Sequence, residues 1–366
     1  MAPTAEITTG IRSLRRRAAR LAELATTPLL PADYLDMIRP LRSGADLRGR
    51  IVEIRPETRD AATIVIQPSA DWAGHTPGQY VRLGIDVDGV RQWRAYSLTS
   101  QVGRRDGCIA ITVKAIPDGK VSNQLVHRTK PGTIVQLDQA AGEFTLPDVT
   151  PAKALFITGG SGITPVIGIL RNWVATGHVG ADVTVVHSAP TAADAIFAEE
   201  LGELHASGRI RLVVQHTDDD GMLDADAIAA LVPDLSTYEA WACGPVGMLE
   251  MLEAHWHVEG IAARLHTERF RPAVMVVGDG GTLVLNRTGT TLELDGATTI
   301  LDAAEAAGVL MPSGCRMGIC FGCVLPLREG AVRDLRNGQV TTAVPGDGVL
   351  VQTCISAAAG RCDIDH

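Results

Sequence analysis

The stretch that decides the fold of the carboxy-terminal part reads Pro312-Ser-Gly-Cys315-Arg-Met-Gly-Ile-Cys320-Phe-Gly-Cys323, and Cys354 follows after thirty further residues. Three cysteines in one short loop and a fourth at a distance form the pattern C-x4-C-x2-C…C. Thiolates are ligands for soft metal ions, and a tight loop can wrap three of them around one side of a metal centre. The glycines of the loop lack a Cβ atom, so backbone N–H groups can approach the sulfur atoms. We therefore predict metal ligation by Cys315, Cys320, Cys323 and Cys354.

Two kinds of metal centre take four thiolates: a [2Fe–2S] cluster and a structural zinc ion. Zinc sites usually show two pairs of closely spaced cysteines, whereas Cys354 stands alone. The observed spacing is one that [2Fe–2S] clusters use. The pattern therefore favours the cluster, and a non-enzymatic zinc-binding protein is the distant alternative.

The residues around the cysteines predict the fold of this part of the chain. Leu283–Leu285 and Thr291–Leu294 predict a hairpin, Thr299–Ala307 a short helix, and Val349–Thr353 a strand that leads to Cys354. With the cysteine loop, residues 273–366 resemble a plant-type ferredoxin domain of the β-grasp fold.

Residues 151–270 alternate apolar strands with helical stretches. Such alternation predicts a parallel sheet with helices on both faces. The predicted strands are Ala154–Thr158, Val183–His187, Ile210–Gln215, Glu239–Cys243 and Arg264–Thr267.

Two motifs lie where strands of this sheet end. The first strand runs into Gly159-Gly160-Ser161-Gly162-Ile163-Thr164-Pro165, and a helical stretch follows. A glycine turn between a strand and a helix lets a pyrophosphate bind N–H groups at the helix start, although such a turn can also be purely structural. The fourth strand ends in Ala242-Cys243-Gly244-Pro245. Because ligands bind at the carboxyl ends of such strands, Cys243 is predicted to face a nicotinamide, with a buried core cysteine as the alternative.

Together these motifs resemble the ferredoxin–NADP reductase superfamily. The resemblance implies that the glycine turn holds the nucleotide pyrophosphate and that the Cys-Gly-Pro segment lies beside the hydride-transfer position. The implied nucleotide residues are Gly159, Gly160, Gly162, Thr164, Pro165, Ser188, Cys243, Gly244, Pro245 and Met248.

The nucleotide preference depends on the residues after the second strand. Ser188 is a candidate partner for the 2′-phosphate of NADPH, and Arg209 or Arg211 could reach that phosphate from the next strand. No acidic residue directly after this strand favours NADH by binding the ribose hydroxyls. We expect NADPH as the electron donor, with NADH as the alternative.

Residues 47–150 contain six short strands broken by Gly, Pro and Asp, which predicts a small antiparallel barrel. Inside it stands Arg94-Ala95-Tyr96-Ser97, in which strand alternation puts Arg94 and Tyr96 on one face. An Arg can pair with a phosphate and a Tyr offers a flat surface, but an ordinary edge strand explains the residues equally well. The six predicted strands are Ile51–Arg55, Ala62–Gln67, Tyr80–Ile85, Arg94–Thr99, Ile109–Ala115 and Ile134–Leu137.

Arg-x-Tyr-Ser resembles the flavin signature of the same superfamily. The resemblance implies that Arg94 contacts the flavin phosphate, that Tyr96 and Ser97 lie beside the ribityl chain and ring, and that Ser97 and Cys243 are the catalytic residues. The second motif implied to hold a pyrophosphate favours FAD over FMN. It consists of Lys114, Gly119, Lys120, Val121, Ser122 and Asn123.

The order of flavin barrel, nucleotide domain and ferredoxin domain resembles the reductases of bacterial oxygenase and desaturase systems. A hydride brings two electrons, a flavin holds one or two, and the cluster holds one, so the three sites in series convert a two-electron donor into a one-electron donor. Plant-type clusters have potentials near −400 mV, which suits oxygen-activating iron centres as eventual acceptors.

Residues 1–46 predict a basic helical extension. Residues 1–50 hold nine Arg and five acidic residues, a net charge of +4 in a chain of net charge −9. Such a helix could touch an anionic membrane or pack over the barrel with its arginines in water. The extension resembles that of actinobacterial ferredoxin reductases that serve membrane di-iron acyl-CoA Δ9 desaturases and are associated with NADPH. A desaturase is therefore the expected acceptor, and a soluble ring- or steroid-hydroxylating oxygenase is the alternative.

Composition limits the remaining function classes. The acidic net charge of −9 argues against general nucleic-acid binding. The sequence contains neither an apolar run of the ~20 residues that a spanning helix needs nor a signal peptide. We expect a cytoplasmic protein, with the basic extension as a candidate contact to the inner face of the plasma membrane.

Overall fold

The computed structural model describes residues 38–44, 46–117, 119–176, 182–270, 276–314, 316, 318 and 321–366. The predicted amino-terminal helix, residues 271–275 between the second and third domains, and two predicted cluster ligands, Cys315 and Cys320, lie outside these residues. Within the described residues, no helix is both long and apolar enough to span a membrane.

The first domain is a six-stranded antiparallel sheet with the strand order β4-β3-β6-β1-β2-β5. Bonds from the segment after β4 close it into a barrel, because Leu98 bridges Ile111 and the Thr99 N–H donates to the Ala110 carbonyl. β-Branched residues dominate its core, as pleated half-buried strands favour. The strands are β1 Arg48–Thr58, β2 Ala61–Pro68, β3 Tyr80–Val87, β4 Val90–Ser97, β5 Ile109–Lys114 and β6 Ile134–Leu137, and helix α1 spans Lys120–Asn123.

The second domain is a five-stranded sheet of order β11-β10-β7-β8-β9, in which every pair is parallel. Its central strands are apolar throughout because helices cover both faces. The strands are β7 Lys153–Gly159, β8 Asp182–Ala189, β9 Arg211–His216, β10 Glu239–Cys243 and β11 Leu265–Glu268. The helices are α2 Ile163–Ala175, α3 Ala198–Ala206, α4 Thr217–Asp220, α5 Ala225–Leu231 and α6 Val246–Val258.

The third domain is a mixed sheet of order β13-β12-β17-β14-β15, with β16 paired to β14. The two strands from opposite ends of the domain, β12 and β17, lie parallel at its centre. The strands are β12 Gly278–Leu285, β13 Thr290–Gly296, β14 Val324–Asp334, β15 Val340–Ala343, β16 Leu350–Gln352 and β17 Ser356–Ile364, and helix α7 spans Ile300–Ala306. The predicted fold class, an antiparallel barrel, a parallel α/β domain and a ferredoxin-like domain, is confirmed.

Helix α2 joins the second domain to the barrel at the strand that carries the flavin signature. A Cβ atom on Gly168 would overlap the carbonyl oxygen of Leu98, so the helix backbone lies directly against the segment that follows this strand. The Arg171 guanidinium donates to the Thr99 carbonyl at 2.6 Å, and the Asn172 amide donates to the Ser100 carbonyl at 3.2 Å. These bonds fix the flavin strand relative to the nucleotide sheet.

Candidate functional site

A cavity of about 780 Å³ lies where the three domains meet. Its volume is in the range of ligand clefts in proteins. The barrel contributes one wall from β4, β5 and the turn at α1, and the second domain contributes Ser161, Thr164, Glu268 and Phe270. The third domain closes the remaining side with residues that include Asp302, Glu305, Arg316, Cys354 and Ile355.

The predicted flavin residues of β4 all line this cavity. Burial, together with the nearby Arg316 guanidinium, lowers the pKa of Arg94, and burial raises the pKa of the Tyr96 hydroxyl. Among the described residues, Arg94 donates to the Trp93 carbonyl at 2.7 Å, which leaves other guanidinium N–H groups for a ligand. Ser97 is buried at the end of the strand. The wall thus combines a cation, a flat ring and a hydroxyl.

The second predicted motif forms a tight turn on the same wall. The Ser122 hydroxyl donates to the Gly119 carbonyl at 3.2 Å, and the Asn123 amide donates to the Gly119 carbonyl and the Ile116 carbonyl, both at 2.9 Å. A Cβ atom on Gly119 would overlap the Ser122 hydroxyl. Asn123 therefore shapes the turn and does not itself line the cavity. The motif residues on the cavity wall are Lys114, Gly119, Lys120, Val121 and Ser122.

The glycine turn and the Cys-Gly-Pro segment pack against each other at the carboxyl edge of the nucleotide sheet. A Cβ atom on Gly159 would stand 2.6 Å from Pro245, and one on Gly162 would overlap the Cys243 carbonyl oxygen. A Cβ atom on Gly244 would likewise stand only 2.6 Å from the Met248 side chain. The glycines are thus required for packing between the two motifs, while Gly160, in a left-handed conformation, faces open space.

Of this predicted nucleotide set only Thr164 lines the cavity, and its hydroxyl donates to the Ser161 carbonyl at 2.9 Å. The residues of the set that stand outside the cavity wall are Gly159, Gly160, Gly162, Pro165, Ser188, Cys243, Gly244, Pro245 and Met248. Their predicted contacts with a nucleotide therefore stay predictions.

Cys243 and Glu268 lie side by side at the ends of β10 and β11, but only Glu268 lines the cavity. The Cys243 side chain is fully buried with Phe156 and Trp241 under helix α2, and its predicted position facing a nicotinamide stays a prediction. Burial, and to a lesser degree the Glu268 carboxylate, raises the pKa of the Cys243 thiol. Burial alone raises the pKa of Glu268 to about 7. Glu268 is thus a cavity group that changes charge near neutral pH.

The predicted 2′-phosphate site contains Ser188 but not the two arginines. Ser188 lies beside Gly159 at the carboxyl edge of the sheet. Arg211 begins β9 at the opposite edge of the sheet, and Arg209 precedes it. At ~3.3 Å per residue, Arg211 lies ~16 Å from the carboxyl end of this strand. The expectation that either arginine reaches this phosphate is therefore wrong. The N–H of Asp218 donates to the Pro190 carbonyl at 3.1 Å, which brings the acidic helix α4 to this edge.

A buried histidine lies next to Ser188. The Thr158 hydroxyl and His187 Nδ1 are 2.8 Å apart, and burial lowers the pKa of His187 to about 4. Among the described residues, His187 Nε2 has no hydrogen-bond partner. The ring is therefore neutral at pH 7 and contributes no positive charge to a phosphate site.

Two of the four predicted cluster ligands are described, and they lie close to each other. The carbonyl of Cys323 accepts bonds from both the N–H and the hydroxyl of Thr353, at 3.2 and 3.0 Å, which holds it beside Cys354. Both cysteines are buried, and Cys354 also lines the cavity. These two thiols would serve as thiolate ligands of a cluster on the third-domain side of the cavity.

The cavity also fits a flavin. Arg94 and Lys114 supply cations for a phosphate, and Tyr96, Ile116 and Val121 supply apolar surface for a ring system. Sequence reasoning missed the third-domain wall and Glu268. Glu268 directly follows the predicted strand Arg264–Thr267, so the rule that ligands bind at the carboxyl ends of strands would have identified it.

Three protein families match consecutive parts of the chain. The Oxidoreductase FAD-binding domain family matches residues 50–146 and the Oxidoreductase NAD-binding domain family matches residues 156–254. The 2Fe-2S iron-sulfur cluster binding domain family matches residues 283–359. The predicted cofactors, FAD, a nicotinamide nucleotide and a [2Fe–2S] cluster, are thereby confirmed as classes.

Known proteins match most of the length of the chain. The chain is 46% identical over 361 residues to the NADPH oxidoreductase of Mycobacterium tuberculosis, across 97% of this chain and 93% of that protein. It is 31% identical over 304 residues to the ferredoxin reductase component of the 3-ketosteroid-9-alpha-monooxygenase of Rhodococcus rhodochrous, across 77% of this chain and 85% of that protein. The solved structure of phthalate dioxygenase reductase shares the fold, with a TM-score of 0.60 and 21% identity over 88% of this chain and 98% of that chain.

Proposed function

Because this chain belongs to the ferredoxin reductase-type oxidoreductases that combine FAD-binding, NAD-binding and 2Fe-2S domains, we propose that it draws electrons from NADPH and delivers them singly to an oxygen-activating iron enzyme. The chemistry that FAD and the cluster supply when bound is the conversion of a two-electron hydride into single electrons. The domains proposed for these steps are residues 47–150, 151–270 and 273–366.

One observation carries this proposal: a single cavity is lined by residues of all three domains. Arg94 and Ser97 of the flavin signature, Glu268 at the end of the nucleotide sheet and the predicted cluster ligand Cys354 share its wall. A flavin in this cavity would contact the nicotinamide side and the cluster side at once. Short transfer distances in series are what an electron-transfer reductase requires.

Each wall residue has a proposed task that follows from its chemistry. Arg94 and Lys114 would hold the flavin phosphates, and Ser97 would contact the ring. Glu268, with a pKa of about 7, could hold a proton at the carboxyl edge of the nucleotide sheet without placing a full negative charge there.

The donor proposed is NADPH, and the observations bear on it in opposite directions. The similar protein of Mycobacterium tuberculosis is named an NADPH oxidoreductase. The acidic helix α4, bonded to Pro190 beside Ser188, would in contrast repel a 2′-phosphate. We therefore expect a modest rather than an absolute preference for NADPH.

The acceptor proposed first is a membrane acyl-CoA Δ9 desaturase, on the strength of the amino-terminal extension in the sequence, with a membrane contact through that extension. The alternative is a terminal oxygenase. It is supported by relatives that are reductase parts of oxygenases, such as the Rhodococcus protein and the glycine betaine monooxygenase reductase subunit of Chromohalobacter salexigens, which is 28% identical.

The test uses the purified holoprotein with NADPH or NADH in parallel. Membranes that contain an acyl-CoA desaturase and a purified terminal oxygenase serve as alternative acceptors, and product formation is measured for each. Desaturated product that disappears with Cys354→Ser, while NADPH still reduces the flavin, supports the desaturase and the cluster route. Product with the oxygenase alone refutes the desaturase, and a protein that reduces no flavin with either nucleotide refutes the reductase proposal.

A further inference from the structure

A row of polar side chains crosses the barrel from its surface to the cavity. Thr63 on β2 and Thr112 on β5 are register partners, and their hydroxyl oxygens are 2.7 Å apart. The Thr63 hydroxyl also lies 2.5 Å from Glu57 Oε1, to which it donates. Glu57 belongs to β1, so three adjacent strands contribute one member each. Two short hydrogen bonds join this polar row of Glu57, Thr63 and Thr112.

The inner end of the polar row lies at the flavin wall. Thr112 is one of the residues that line the cavity. The bridge between Leu98 and Ile111 puts Ser97 directly opposite Thr112 where the barrel closes. Residues that stand opposite each other in antiparallel strands lie on the same face of the sheet. Thr112 therefore lies beside Ser97, the last residue of the flavin signature.

The outer end of the polar row depends on a bulge in β1. The register between β1 and β2 shifts between Pro56 and Thr58, so Glu57 has no register partner in β2. A bulge re-aims the side chain of the extra residue. The Glu57 carboxylate thus reaches Thr63, although the register partner of Thr63 is Arg55. Glu57 is only partly buried, so the polar row ends at the surface of the protein.

The middle of the polar row is shielded from water. Thr63 is 3% exposed and Thr112 is 4% exposed. Helix α2 lies over the same side of the barrel, because the Arg171 guanidinium donates to the Thr99 carbonyl at 2.6 Å. A buried hydroxyl without a hydrogen bond is costly, and both hydroxyls of the polar row have partners. The hydroxyls thus form the continuous polar contact between Glu57 and the cavity wall.

The hydrogen bonds of the polar row run in one direction. An ionised carboxylate only accepts, so the single proton of the Thr63 hydroxyl points to Glu57. The proton between Thr63 and Thr112 then belongs to Thr112. The Thr112 oxygen keeps a lone pair with which it can accept a proton. A chain of this polarity carries protons outward, from the cavity to Glu57.

The proposed electron transfer leaves a proton in the cavity. A hydride is one proton with two electrons, so one proton remains for each NADPH after both electrons have left singly. We propose that Thr112, Thr63 and Glu57 form a proton relay that moves this proton from the flavin cavity to the medium. The relay rests on the proposed function, because a reductase that passes on a whole hydride would leave no proton behind.

The relay step conserves every proton. Thr112 Oγ1 accepts the cavity proton while its own proton passes to Thr63 Oγ1, and the proton of Thr63 passes to Glu57 Oε1. Each hydroxyl breaks one O–H bond and forms one, and Glu57 then releases its proton to the medium. Burial raises the pKa of Glu57 against the smaller lowering effect of the Thr63 hydrogen bond. The charges that face it are Arg171, Glu200 and Arg55.

The decisive variant is Thr63→Val, which keeps the shape of the side chain and removes the hydroxyl. The full-length protein, loaded with FAD and cluster, is mixed with NADPH and cytochrome c in weak buffer that contains a pH-indicator dye. We expect proton release and cytochrome c reduction to slow by roughly tenfold or more, as for the loss of an acid–base group. Anaerobic reduction of the flavin by NADPH alone releases no such proton and should keep its rate.

The chain offers a matched control in the same cluster of hydroxyls. Thr99 Oγ1 lies 3.4 Å from Thr112 Oγ1 on a side branch, and Thr99 does not line the cavity. Thr99→Val therefore removes an equally buried hydroxyl without interrupting the path to Glu57, and it should keep both rates. Thr63→Ser restores a hydroxyl and should recover proton release. Glu57→Gln should behave like Thr63→Val.

Infrared spectroscopy tests the hydrogen bonds without turnover. At pH 4.5, the ordinary pKa of a glutamate, the raised pKa keeps more than half of Glu57 protonated. The difference between wild type and Glu57→Gln isolates the C=O stretch of this carboxyl. Because Thr63 bonds to the carboxyl, Thr63→Val should shift the band and Thr99→Val should leave it in place. A band that Thr63→Val does not shift overturns the relay.

The outcomes separate the relay from the proposed function. Slow proton release in Thr63→Val and Glu57→Gln, with normal flavin reduction and a normal Thr99→Val, supports the relay. If Thr63→Val loses its FAD, Glu57→Gln at its partly exposed position decides the question. Wild-type proton release in Glu57→Gln, or equal slowing in Thr99→Val, overturns the relay and leaves the reductase proposal intact. A wild-type protein whose flavin NADPH does not reduce overturns both.

Discussion

Glu268 provides the sharpest test of the electrostatics of the cavity. Its pKa is raised from 4.5 to about 7 by burial alone. Between these values the folded protein binds more protons than the unfolded chain, so the free energy of unfolding falls as pH rises from about 4.5 to 7 and is constant above. At ~1.36 kcal/mol per pKa unit, the loss amounts to at most about 3 kcal/mol at pH 8. Glu268→Gln cannot ionise and should lack this loss.

The assay is urea unfolding at pH 5 and pH 8, followed by tryptophan fluorescence, since Trp173, Trp241 and Trp256 are all buried in the nucleotide domain. Relative to wild type, Glu268→Gln should gain stability at pH 8 but little at pH 5. Glu250→Gln, at an exposed position on α6, is the control and should follow wild type at both pH values. Equal differences at the two pH values would show that Glu268 is not buried as an uncompensated carboxyl.

Three further variants test the separate walls of the site. Gly162→Ala should weaken NADPH binding by tenfold or more in a fluorescence titration, because its Cβ atom would overlap the Cys243 carbonyl, and it should leave the FAD content intact. The control is Gly202→Ala, which should bind NADPH normally because a Cβ atom there meets nothing within 4 Å. Arg94→Met should weaken FAD binding by about 2 kcal/mol, as expected for a lost charge-assisted hydrogen bond, so that less FAD stays bound on gel filtration. Full FAD retention would argue against a phosphate contact. Cys354→Ser should abolish the EPR signal of the cluster while NADPH still bleaches the flavin absorbance, and an intact signal would exclude Cys354 as a ligand.

Local pattern predicted short strands that lie between clear breakers. β6 Ile134–Leu137 and β10 Glu239–Cys243 have the predicted bounds because apolar β-formers end at clear breakers. β17 Ser356–Ile364 was not predicted, since Ser356-Ala-Ala-Ala-Gly-Arg-Cys-Asp-Ile has little strand propensity. Its pairing with β12 and β14 on either side makes it a strand, and neither partner is near it in sequence.

The motifs predicted which residues form the site better than they predicted its shape. The flavin signature and Cys354 share a wall, as the order of domains suggested, yet the contribution of Asp302, Glu305 and Arg316 was not foreseen. Contacts between domains depend on surfaces that carry no periodicity. Cys243 shows a second limit of motif reasoning. The motif alone does not tell whether its thiol is exposed or buried, because that depends on how α2 packs against it.

The three-domain wall of the cavity has a consequence for assembly. On a ribosome the barrel emerges first, and roughly 175 residues separate the turn at α1 from the third-domain wall, which at ~5–20 residues per second takes about 10 to 35 seconds to synthesise. During that interval the side of the cavity that the third domain later closes is open to the medium. Flavin could thus reach the barrel wall of the nascent chain, whereas the predicted cluster ligand Cys354 is synthesised only after the first two domains. We therefore expect flavin to bind before the third-domain wall is in place and the cluster to be added later.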